Sequence, residues 1–573
     1  MPETKPAPWE FLDEFRGKLF SGDWPTLPEL FEITAHRYPE RAAFTVYEPD
    51  RVSLTYSEAL KRIVEVAGYL HQRGVLHGDR VAVSGKNSPE WAIAYLAILY
   101  AGAVVVPIDY QLSDREVENL LRASDSKLLF VDEEKYDHFA SGRGGYVVPV
   151  QSLSAKKEGY IYELSGSLEG RQPARVDELA AILFTSGTTG RPKGVMLTHR
   201  NFVSDCFLAQ YNLNIYPTDV FYALLPIHHS YCMLAVFIES FSVGAETVFG
   251  KRLAISQVLS DLKEAQVTMF LGVPMLFNKL LNGILGGIRD KGVVVYSIIR
   301  TLMAISGAIK KITGKNPGKK LFHTVLDKAS LATVRICISG GGPLAPSVFR
   351  KYNQLGIDFI QGYGLTETSP ILTLNPVEHY KEESVGRVLP EVDMRVLDPD
   401  ERGAGEIIVK GPMVMEGYYN MPEETAEVFT EDGFFRTGDV GYLDGEHYLY
   451  ITGRAKNMIV SEGGKNVYPE EIENAFQTYP EVEQILVRGY EEDPTSRVEK
   501  IEALVYPSED FFSSSGEAGA AATKAEIETR IREVVEEVNK ELLPYQRIAR
   551  TTVLEEPMEM TTTKKIKRHA VDS

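Results

Sequence analysis

Cysteine is scarce in this sequence, and an excess of positive charge is lacking. The 573 residues include three cysteines, Cys206, Cys232 and Cys337, which lie far apart and form no Cys-x-x-Cys spacing. This argues against a disulfide framework and a zinc site, and it favours a reducing, cytosolic compartment. The formal net charge of −19 argues against nucleic acid as the main partner.

Long hydrophobic runs are also rare. The N-terminal segment has no basic region followed by an apolar core, so we expect no signal peptide. One run, Trp91–Ile108, is uncharged over eighteen residues, which is near the length of a membrane span. Ser88-Pro-Glu90 is a good helix start and Gly102 a good stop, so this run predicts a buried helix followed by a short buried strand.

The sequence does contain a repeated alternation of helix and strand patterns. Thr55-Tyr-Ser-Glu58 predicts a capping box, and the amphipathic helix that follows closes at Gly74. Arg80–Val83 predicts a strand, and the same order recurs in the helix Asp114–Ala123 and the strand Lys127–Val131. This alternation predicts an α/β protein with parallel sheets covered by helices. The length suggests two to four compact units.

A glycine- and hydroxyl-rich segment follows the predicted strand Leu179–Phe184. Thr185-Ser-Gly-Thr-Thr-Gly-Arg-Pro-Lys-Gly194 combines backbone N–H groups, hydroxyls and one lysine, which is the composition of a phosphate-binding loop. A Walker P-loop requires Ser or Thr directly after the lysine and then a helix. Here Gly194 follows, and then the strand Val195-Met-Leu197, which disfavours a P-loop kinase or GTPase. A flexible polar hairpin is the alternative.

Further segments carry groups suited to a nucleotide. Cys337–Leu344 is a strand that ends in three glycines, which either make a tight turn or let a flat ring lie on the backbone. In Asp358–Pro370, Tyr363 can stack on a base, Thr366 can hold a phosphate and Glu367 can bind magnesium as a hard oxygen ligand. Asp439 is predicted in a turn between strands, where it either binds ribose hydroxyls or is a plain turn aspartate.

Together these segments resemble the adenylate-forming enzymes, the superfamily of acyl-CoA synthetases, luciferases and peptide-synthetase adenylation domains. The resemblance covers about residues 30–570 and implies that Thr185 and Glu367 share a magnesium ion. The positions it implies for ATP and AMP binding are Thr185, Ser186, Gly187, Thr188, Thr189, Gly190, Lys193, Gly341, Gly342, Pro343, Gln361, Gly362, Tyr363, Gly364, Thr366, Asp439 and Arg454.

The same resemblance implies two domains. Residues 1–453 form a large N-terminal domain of mostly parallel sheets with a β-barrel-like subdomain, and residues 454–573 form a small mobile α/β lid. Lys456 stands at the hinge, where many relatives carry Asp, and hinges absorb backbone change at a few residues. Gly463, Gly464 and Lys465 would face the CoA thiol after the lid turns.

The C-terminal sequence Met558–Arg568 resembles the terminal motif that carries the catalytic lysine. Aligning Thr561 and Arg568 makes Lys565 that lysine, although Glu559 and Lys564 replace the usual proline and glycine, so Lys564 stays open as the alternative. The other catalytic positions are Thr366, Glu367 and His229, which matches the position before the acyl tunnel. The adjacent His228 keeps the choice of histidine open, and a metal site is not expected because no third ligand lies nearby.

The closest resemblance is to long-chain fatty acyl-CoA synthetases, with ATP, Mg²⁺, a fatty acid and CoA as cofactor and substrates. Medium-chain or aryl acids, a carrier-protein acceptor and a homodimer remain open. Two other classes of protein stand as alternatives: a catalytically silent nucleotide- or acyl-binding sensor, and a simple P-loop ATPase that releases ADP.

Residues 288–328 differ from the rest of this acidic chain. They contain nine Lys or Arg against two acidic residues, beside an apolar cluster from Val293 to Ile305. Such a segment can lie on the anionic inner face of a membrane. The alternative is an ordinary core helix followed by a solvated lysine loop. Further on, Ser513–Ala522 predicts a flexible surface loop and Lys524–Leu543 an amphipathic helix.

Overall fold

A computed structural model describes most of the chain. The described residues are 7–142, 145–185, 191–251, 254–461, 465–491, 499–513, 521–561 and 565–568. The predicted loop at 513–522 lies largely outside these ranges, as do Ser186–Gly190 of the phosphate-loop segment. Helices and strands alternate along most of the chain, as the sequence pattern predicts.

The first third of the chain contains most strands of one sheet, two strands of a second sheet and several helices. Its elements are α1 (Leu27–Arg37), β1 (Ala42–Val46), β2 (Val52–Thr55), α2 (Tyr56–Gln72), β3 (Arg80–Ser84), α3 (Pro89–Tyr100), β4 (Val104–Ile108), α4 (Asp114–Ala123), β5 (Ser126–Val131), α5 (Glu133–Ala140), β6 (Val150–Ser152), β7 (Leu179–Thr185) and β8 (Lys193–Thr198).

The middle of the chain builds a second, larger sheet. Its elements are α6 (His199–Gln210), β9 (Val220–Ala223), α7 (Ser230–Cys232), a π-helical turn (Met233–Ile238), α8 (Glu239–Val243), β10 (Glu246–Phe249), α9 (Ile255–Glu264), β11 (Met269–Gly272), α10 (Pro274–Arg289), α11 (Val293–Thr313), α12 (Gly318–Leu321), α13 (His323–Lys328), β12 (Ile336–Ser339), α14 (Pro346–Leu355), β13 (Asp358–Gly364), β14 (Ile371–Leu374) and β15 (Arg387–Val388).

The last third is richer in antiparallel strands. Its elements are β16 (Asp393–Leu397), β17 (Gly405–Lys410), β18 (Gly417–Tyr418), α15 (Pro422–Glu427), β19 (Phe435–Leu443), β20 (Leu449–Arg454), β21 (Ile459–Val460), β22 (Asn466–Val467), α16 (Pro469–Ala475), β23 (Val482–Glu491), β24 (Glu499–Pro507), α17 (Glu509–Phe512), α18 (Lys524–Glu541) and β25 (Arg550–Val553).

Local sequence signals explain where several of these helices begin. The capping box at Thr55 and Glu58 is confirmed, because Thr55 Oγ1 accepts the Glu58 N–H at 3.2 Å and Glu58 Oε2 accepts the Thr55 N–H at 2.9 Å. Helices α1, α4 and α18 begin with the same reciprocal pair. Each box satisfies two of the backbone donors that a helix start leaves without an intrahelical acceptor.

Two mixed sheets form the large N-terminal part. One has the strand order β18-β8-β7-β4-β3-β5-β6, and the other has the order β15-β14-β13-β12-β11-β9-β10-β1-β2. Strands β7, β4, β3, β5 and β6 are parallel in the first, and β13, β12, β11, β9, β10 and β1 are parallel in the second. This confirms the predicted helix-covered parallel sheets.

The uncharged run Trp91–Ile108 is confirmed as a buried helix and strand. Helix α3 is buried from Trp91 to Leu99, and every residue of β4 is buried. A strand of a parallel sheet is covered by helices on both faces, so it carries continuous apolar sequence. The length of this run therefore reflects the core of the protein.

Smaller sheets complete the chain. An antiparallel sheet of order β16-β17-β19-β20 stands where the resemblance implied a barrel-like subdomain. After it, β23, β24 and β25 form a three-stranded sheet that packs on α18, whose buried residues are Ile531, Val534, Val535 and Val538. This smaller C-terminal domain thus has its own hydrophobic core. The boundary between residues 453 and 454 stays a prediction.

Helix α11 corrects one of the two interpretations of residues 288–328. Val294, Ile298 and Ile312 are 73%, 55% and 82% exposed, so the core-helix interpretation is wrong for this face of the helix. The lysine-rich segment that follows is only partly a loop, because Lys319 and Lys320 belong to α12. Among the described residues α11 is the helix long and apolar enough to cross a membrane by length and composition.

Candidate active site

The phosphate-loop segment leaves the first sheet between two antiparallel strands. Thr185 ends β7 and lies opposite Lys193, which begins β8. The Thr185 hydroxyl donates to the Lys193 carbonyl oxygen at 3.5 Å. A Cβ at Gly194 would lie 2.9 Å from Ile182 Cγ2, so packing excludes the Ser or Thr that a Walker loop needs here. The predicted positions Ser186, Gly187, Thr188, Thr189 and Gly190 lie outside the described residues.

Tyr418 contacts both Lys193 and Glu367, and it was not identified from the sequence. Lys193 Nζ lies 4.7 Å from the centroid of the Tyr418 ring, and the Tyr418 hydroxyl donates to Glu367 Oε1 at 3.0 Å. Tyr418 reaches this place because β18 pairs with β8, where Tyr418 lies opposite Val195. No local motif marks Tyr418, since the pairing joins segments more than two hundred residues apart in the sequence.

Thr185 and Glu367, the two residues predicted to share a magnesium ion, supply one hydroxyl oxygen and one carboxylate. Mg²⁺ in nucleotide sites is usually held by one or two protein oxygens together with substrate phosphates and water. One carboxylate and one hydroxyl match that pattern. In the described part of the chain no group of three His, Cys, Asp or Glu side chains could hold a metal ion.

Thr366 lies beside the segment that contains His229. The hydroxyl oxygens of Thr366 and Ser230 are 3.0 Å apart, and no sequence motif marks Ser230. His229 Nδ1 accepts the Tyr231 N–H at 3.4 Å at the start of α7. The pKa of His229 is lowered to about 3, chiefly by desolvation and further by the positive charges of Lys565 and His228. A neutral imidazole therefore lies at this position at neutral pH.

His228 has different surroundings. Its Nε2 lies 3.6 Å from Asp109 Oδ1, a partner that the sequence did not indicate. Desolvation lowers the pKa of His228, and the Asp109 charge opposes that shift. The charge of Lys565 contributes to the lowered pKa of His229, whereas Asp109 is the charged group that acts on His228.

Asp439 lies within a strand, so its predicted place in a turn is wrong. It belongs to β19, opposite Arg454 of β20, and Gly438 before it has a φ of 70°, which permits a local change of direction. Arg454 and Asp439 form an ion pair, with 2.9 Å between Arg454 Nε and Asp439 Oδ1, and the Tyr363 hydroxyl donates to Asp439 Oδ2 at 2.7 Å. Burial raises the pKa of Asp439, while Arg454, Tyr363 and Lys565 oppose that shift.

Lys565 of the C-terminal domain acts electrostatically on this pair. Desolvation lowers the pKa of Lys565, the positive charge of Arg454 lowers it further, and Asp439 opposes the shift. The pKa of Lys456, the predicted hinge position, is lowered in the same order, by desolvation and then by Arg454. Lys564, the alternative catalytic lysine, lies outside the described residues.

Arg568 attaches the terminal motif to the rest of the C-terminal domain by hydrogen bonds to Glu473 and Val487. Two hydrogen bonds of 2.6 Å join Arg568 Nη2 to the carboxylate of Glu473, and Nη1 donates to the Val487 carbonyl oxygen at 2.9 Å. Burial raises the pKa of Glu473 to about 7 despite the opposing charge of Arg568. A bidentate arginine fixes both distance and orientation, so it holds the segment that carries Lys565.

The predicted adenine positions lie at the ends of β12 and along β13. Gly341 has a φ of 77°, a backbone conformation that favours glycine. A Cβ at Gly364 would lie 1.5 Å from the Pro370 carbonyl oxygen, so this position requires glycine. Gln361 lies opposite Ser339 in neighbouring parallel strands, and Gly362 lies opposite Leu374 in the adjoining antiparallel pair.

Gln477 of the C-terminal domain contacts the same loop and was not identified from the sequence. Its Nε2 donates to the Pro343 carbonyl oxygen at 2.9 Å, and its Oε1 accepts the Ala345 N–H at 2.8 Å. A Cβ added at the neighbouring Gly342 would lie 3.6 Å from the Pro274 ring. The lid therefore touches the predicted adenine loop directly.

The segment predicted to face the CoA thiol is only partly described. Gly463 and Gly464 lie outside the described residues. The Lys465 carbonyl oxygen accepts the Ser461 N–H at 3.0 Å, next to the short β21–β22 pair. Among the described contacts, none joins the Lys465 side chain to the cluster around Asp439.

The two-domain fold and this arrangement define the class of adenylate-forming enzymes. The chain belongs to the AMP-binding enzyme family, since the family model matches residues 31–419 and the model of the AMP-binding enzyme C-terminal domain matches residues 456–573. It is a member of the superfamily that includes acyl- and aryl-CoA ligases.

Individual relatives differ in what they act on. The chain is similar to a feruloyl-CoA synthase of an Amycolatopsis species, with 30% identity over 80% of this chain and 84% of the relative. It is 28% identical to a long-chain-fatty-acid–CoA ligase of Bacillus subtilis, over 84% of this chain and 85% of the relative. ATP-bound MatB from Rhodopseudomonas palustris has a TM-score of 0.74 and 27% identity, over 96% of this chain and 98% of that one.

Proposed function

We propose that the protein is an AMP-forming ligase that activates a long-chain fatty acid and joins it to CoA. The first reaction gives acyl-AMP and pyrophosphate, and the second gives acyl-CoA and AMP. The observation that carries the proposal is the electrostatic influence of Lys565 on Asp439 of the N-terminal domain and on His229 before the apolar π-helical turn. This influence supports a common site for the terminal motif, the proposed ribose position and the proposed acyl position.

In the first step a carboxylate oxygen of the fatty acid attacks the α-phosphorus of ATP. The bond from that phosphorus to the bridging oxygen of pyrophosphate breaks, so the acid gains an AMP leaving group in place of oxide. Negative charge develops on the phosphate oxygens, where fixed cations and donors are most effective. We assign this task to Lys193 and Lys565, with the Thr366 hydroxyl positioned by Ser230.

The nucleotide itself is oriented by the cluster around Asp439. The Asp439 carboxylate accepts hydrogen bonds from the ribose hydroxyls, Arg454 keeps that carboxylate ionised, and the Tyr363 ring packs against the base. When bound, Mg²⁺ neutralises part of the phosphate charge, and Thr185 and Glu367 are the residues that would hold it. The phosphate-loop residues Ser186–Gly190 add backbone and hydroxyl donors.

In the second step the CoA thiol loses its proton to solvent and its sulfur attacks the acyl carbonyl carbon; a carbon–sulfur bond forms, and AMP leaves with the electron pair of the carbon–oxygen bond. The lid turns about Lys456, so Lys565 withdraws and Gly463, Gly464 and Lys465 face the thiol. Because Lys565 serves only the first step, removing it should separate the two reactions.

The long-chain assignment has two supports. One is the Bacillus subtilis relative, and the other is the wholly buried, uncharged turn Met233–Ile238 that follows the neutral His229. An aryl acid is the second candidate, since the feruloyl-CoA synthase is 30% identical. We also propose a cytoplasmic location, with residues 288–328 as a peripheral membrane contact. The homodimer stays a prediction.

The test is ATP–pyrophosphate exchange with acids from acetate to stearate and with ferulate, with and without CoA. Exchange confined to long chains, with acyl-CoA formed when CoA is present, would support the proposal. Exchange with ferulate alone would move the protein to the aryl ligases, and activity with a carrier protein but not CoA would change the acceptor. No exchange with any acid would favour the sensor class, and ADP release would favour a simple ATPase.

A Lys565→Ala variant makes this test specific. Adenylation should fall by about a hundredfold or more, since the removed charge acts on the transition state. Conversion of supplied acyl-AMP to acyl-CoA should persist. Lys567→Ala is the matched control, because Lys567 lies two residues away and contacts Glu559 at 3.5 Å instead. Equal losses in both variants would contradict the assignment of Lys565.

A further inference from the structure

Helix α11 carries a stripe of exposed aliphatic side chains along its whole length. Successive residues of an α-helix are about 100° apart, which places the stripe within an arc of about 60°. Its members are Val294 at 73% exposed, Ile298 at 55%, Ile305 at 51%, Ile309 at 39% and Ile312 at 82%. Single exposed apolar residues are common, but an aligned set on one helix is typical of a docking surface.

The opposite face holds α11 firmly on the protein. Met303, Ser306 and Lys310 are buried on that face, and Lys310 Nζ donates at 2.6 Å both to Asn353 Oδ1 and to Asp358 Oδ1. Turning the helix to bury the stripe would pull Lys310 out and leave Asp358 without this partner, which is costly for a buried pair. The stripe therefore stays exposed in the isolated chain.

The charges around the stripe have one sign. Residues 291–326 contain seven Lys or Arg and no Asp or Glu, in a chain whose net charge is −19. The exposed cations of this segment include Lys315 and Lys320 just after α11, and Arg300 and Lys311 on α11 itself, which lie about 100–120° around the helix from the nearer edge of the stripe. An aliphatic stripe within a basic segment matches the two layers of an anionic bilayer surface, acyl chains beneath phosphate headgroups.

We propose that α11 lies flat in the surface of an anionic membrane, with the aliphatic stripe inserted and the lysines of the basic segment on the headgroups. The helix does not span the bilayer, because its Lys310 face stays packed on Asn353 and Asp358. A second copy of the chain is the less suitable occupant, since pairing two stripes would bring two basic segments together. The inference rests on the peripheral membrane contact proposed above for residues 288–328, and it is independent of the ligase activity.

The experiment is flotation of the full chain with lipid vesicles. Vesicles of phosphatidylcholine alone are compared with vesicles of phosphatidylcholine mixed with phosphatidylglycerol, at physiological and at high salt. We expect binding to the mixed vesicles only, weakened by high salt. No binding to the mixed vesicles, or equal binding to both compositions, would overturn the proposal whatever the ligase activity proves to be.

Two sets of variants locate the contact. The triple variant Ile298→Gln, Ile305→Gln and Ile312→Gln keeps helix propensity and should weaken vesicle binding at least about a hundredfold, because three aliphatic groups no longer leave water. Leu76→Gln, Val147→Gln and Leu543→Gln is the matched control, with residues 66%, 65% and 48% exposed elsewhere. Unchanged thermal unfolding in both triples shows that folding is intact.

Charge reversal tests the second feature. Lys311→Glu with Lys315→Glu should weaken binding by at least about 25-fold, since each lysine near an anionic surface contributes about fivefold. Lys263→Glu with Lys540→Glu changes the net charge equally at exposed sites elsewhere. Equal effects of the two pairs would overturn the role of these lysines. Dimer dissociation by the triple α11 variant, without vesicle binding by the wild type, would assign the stripe to a second copy.

Discussion

Arg454 Nε lies 2.9 Å from Asp439 Oδ1 across neighbouring antiparallel strands, with Asp439 buried. The Tyr363 hydroxyl donates a hydrogen bond to the other carboxylate oxygen, Asp439 Oδ2, at 2.7 Å. The ion pair and the tyrosine hydroxyl fix the orientation of the Asp439 carboxylate. The proposed ribose contact depends on this orientation, because the two neighbouring ribose hydroxyls are both donors.

Replacement of Asp439 should weaken nucleotide binding. Asp439→Asn keeps the shape of the side chain but removes the charge that Arg454 contacts, so we expect ATP affinity to fall about 10- to 100-fold, measured by calorimetry. Asp393→Asn is the control, because Asp393 forms an exposed pair with Arg395 at 2.7 Å. Unchanged ATP affinity in Asp439→Asn would contradict the ribose assignment.

The hydroxyl of Tyr418 should matter for the metal dependence of the reaction. Tyr418→Phe keeps the ring beside Lys193 but removes the 3.0 Å hydrogen bond to Glu367. We expect the magnesium concentration for half-maximal adenylation to rise several-fold, and Glu367→Gln to lose about a hundredfold in rate. Tyr211→Phe, at a tyrosine that is 49% exposed, should change neither quantity. An effect of Tyr418→Phe on rate at every magnesium concentration would instead indicate a structural role.

The hinge assignment predicts a separation of the two half-reactions. Lys456 lies in the short 3₁₀ turn Ala455–Asn457 between the domains. Lys456→Pro fixes one backbone dihedral, so the lid should keep a single pose; we expect acyl-AMP to form while its transfer to CoA falls at least about tenfold. Lys456→Ala removes the side chain without fixing the backbone and should retain both steps. Equal behaviour of the two variants would assign the effect to the side chain.

Glu239 should make the stability of the protein depend on pH. Burial raises the pKa of Glu239 from 4.5 to about 8, although hydrogen bonds with Gln210 and Cys206 oppose the shift. The folded chain keeps this proton where the unfolded chain has lost it. The protonated Glu239 therefore makes its full contribution to the free energy of unfolding below about pH 4.5. This contribution is lost as the pH rises towards 8, by at most about 1.4 kcal/mol per pH unit.

The variant Glu239→Gln isolates this effect, because it has nearly the same shape and does not ionise. We expect a flatter dependence of the free energy of unfolding on pH between 5 and 8, measured by urea titration. Asp205 is also buried with a raised pKa, so some slope should remain. An identical slope in wild type and variant would show that Glu239 does not titrate in this range.

Two glycine substitutions should have opposite effects on stability. Gly364→Ala places a Cβ 1.5 Å from the Pro370 carbonyl oxygen, so we expect loss of about 3 kcal/mol or more. Gly283→Ala lies inside α10 with no atom within 4 Å of the new Cβ, and should stabilise by roughly 0.5–1 kcal/mol. Thermal and urea unfolding measure both. Similar effects of the two substitutions would contradict the close packing at Gly364.

Much of this protein could be predicted from the sequence because its signals are local. The capping boxes, the buried run Trp91–Ile108 and the strands around the phosphate-loop segment depend on residues a few positions apart. The order of the nucleotide motifs along the chain was enough for the superfamily. The acyl chain length was not, since it depends on the shape of a cavity lined by distant segments.

The tertiary structure decided the partners of those motifs. Tyr418 meets Glu367 across 51 residues, Ser230 meets Thr366 across 136, and Gln477 meets Pro343 across 134. Asp439 lies in a strand, whereas the sequence predicted a turn. The aliphatic stripe of α11 is exposed to solvent, whereas its sequence is equally compatible with a buried core helix. Sequence patterns determine which face of a helix is apolar, but only packing of the whole chain determines whether that face is covered.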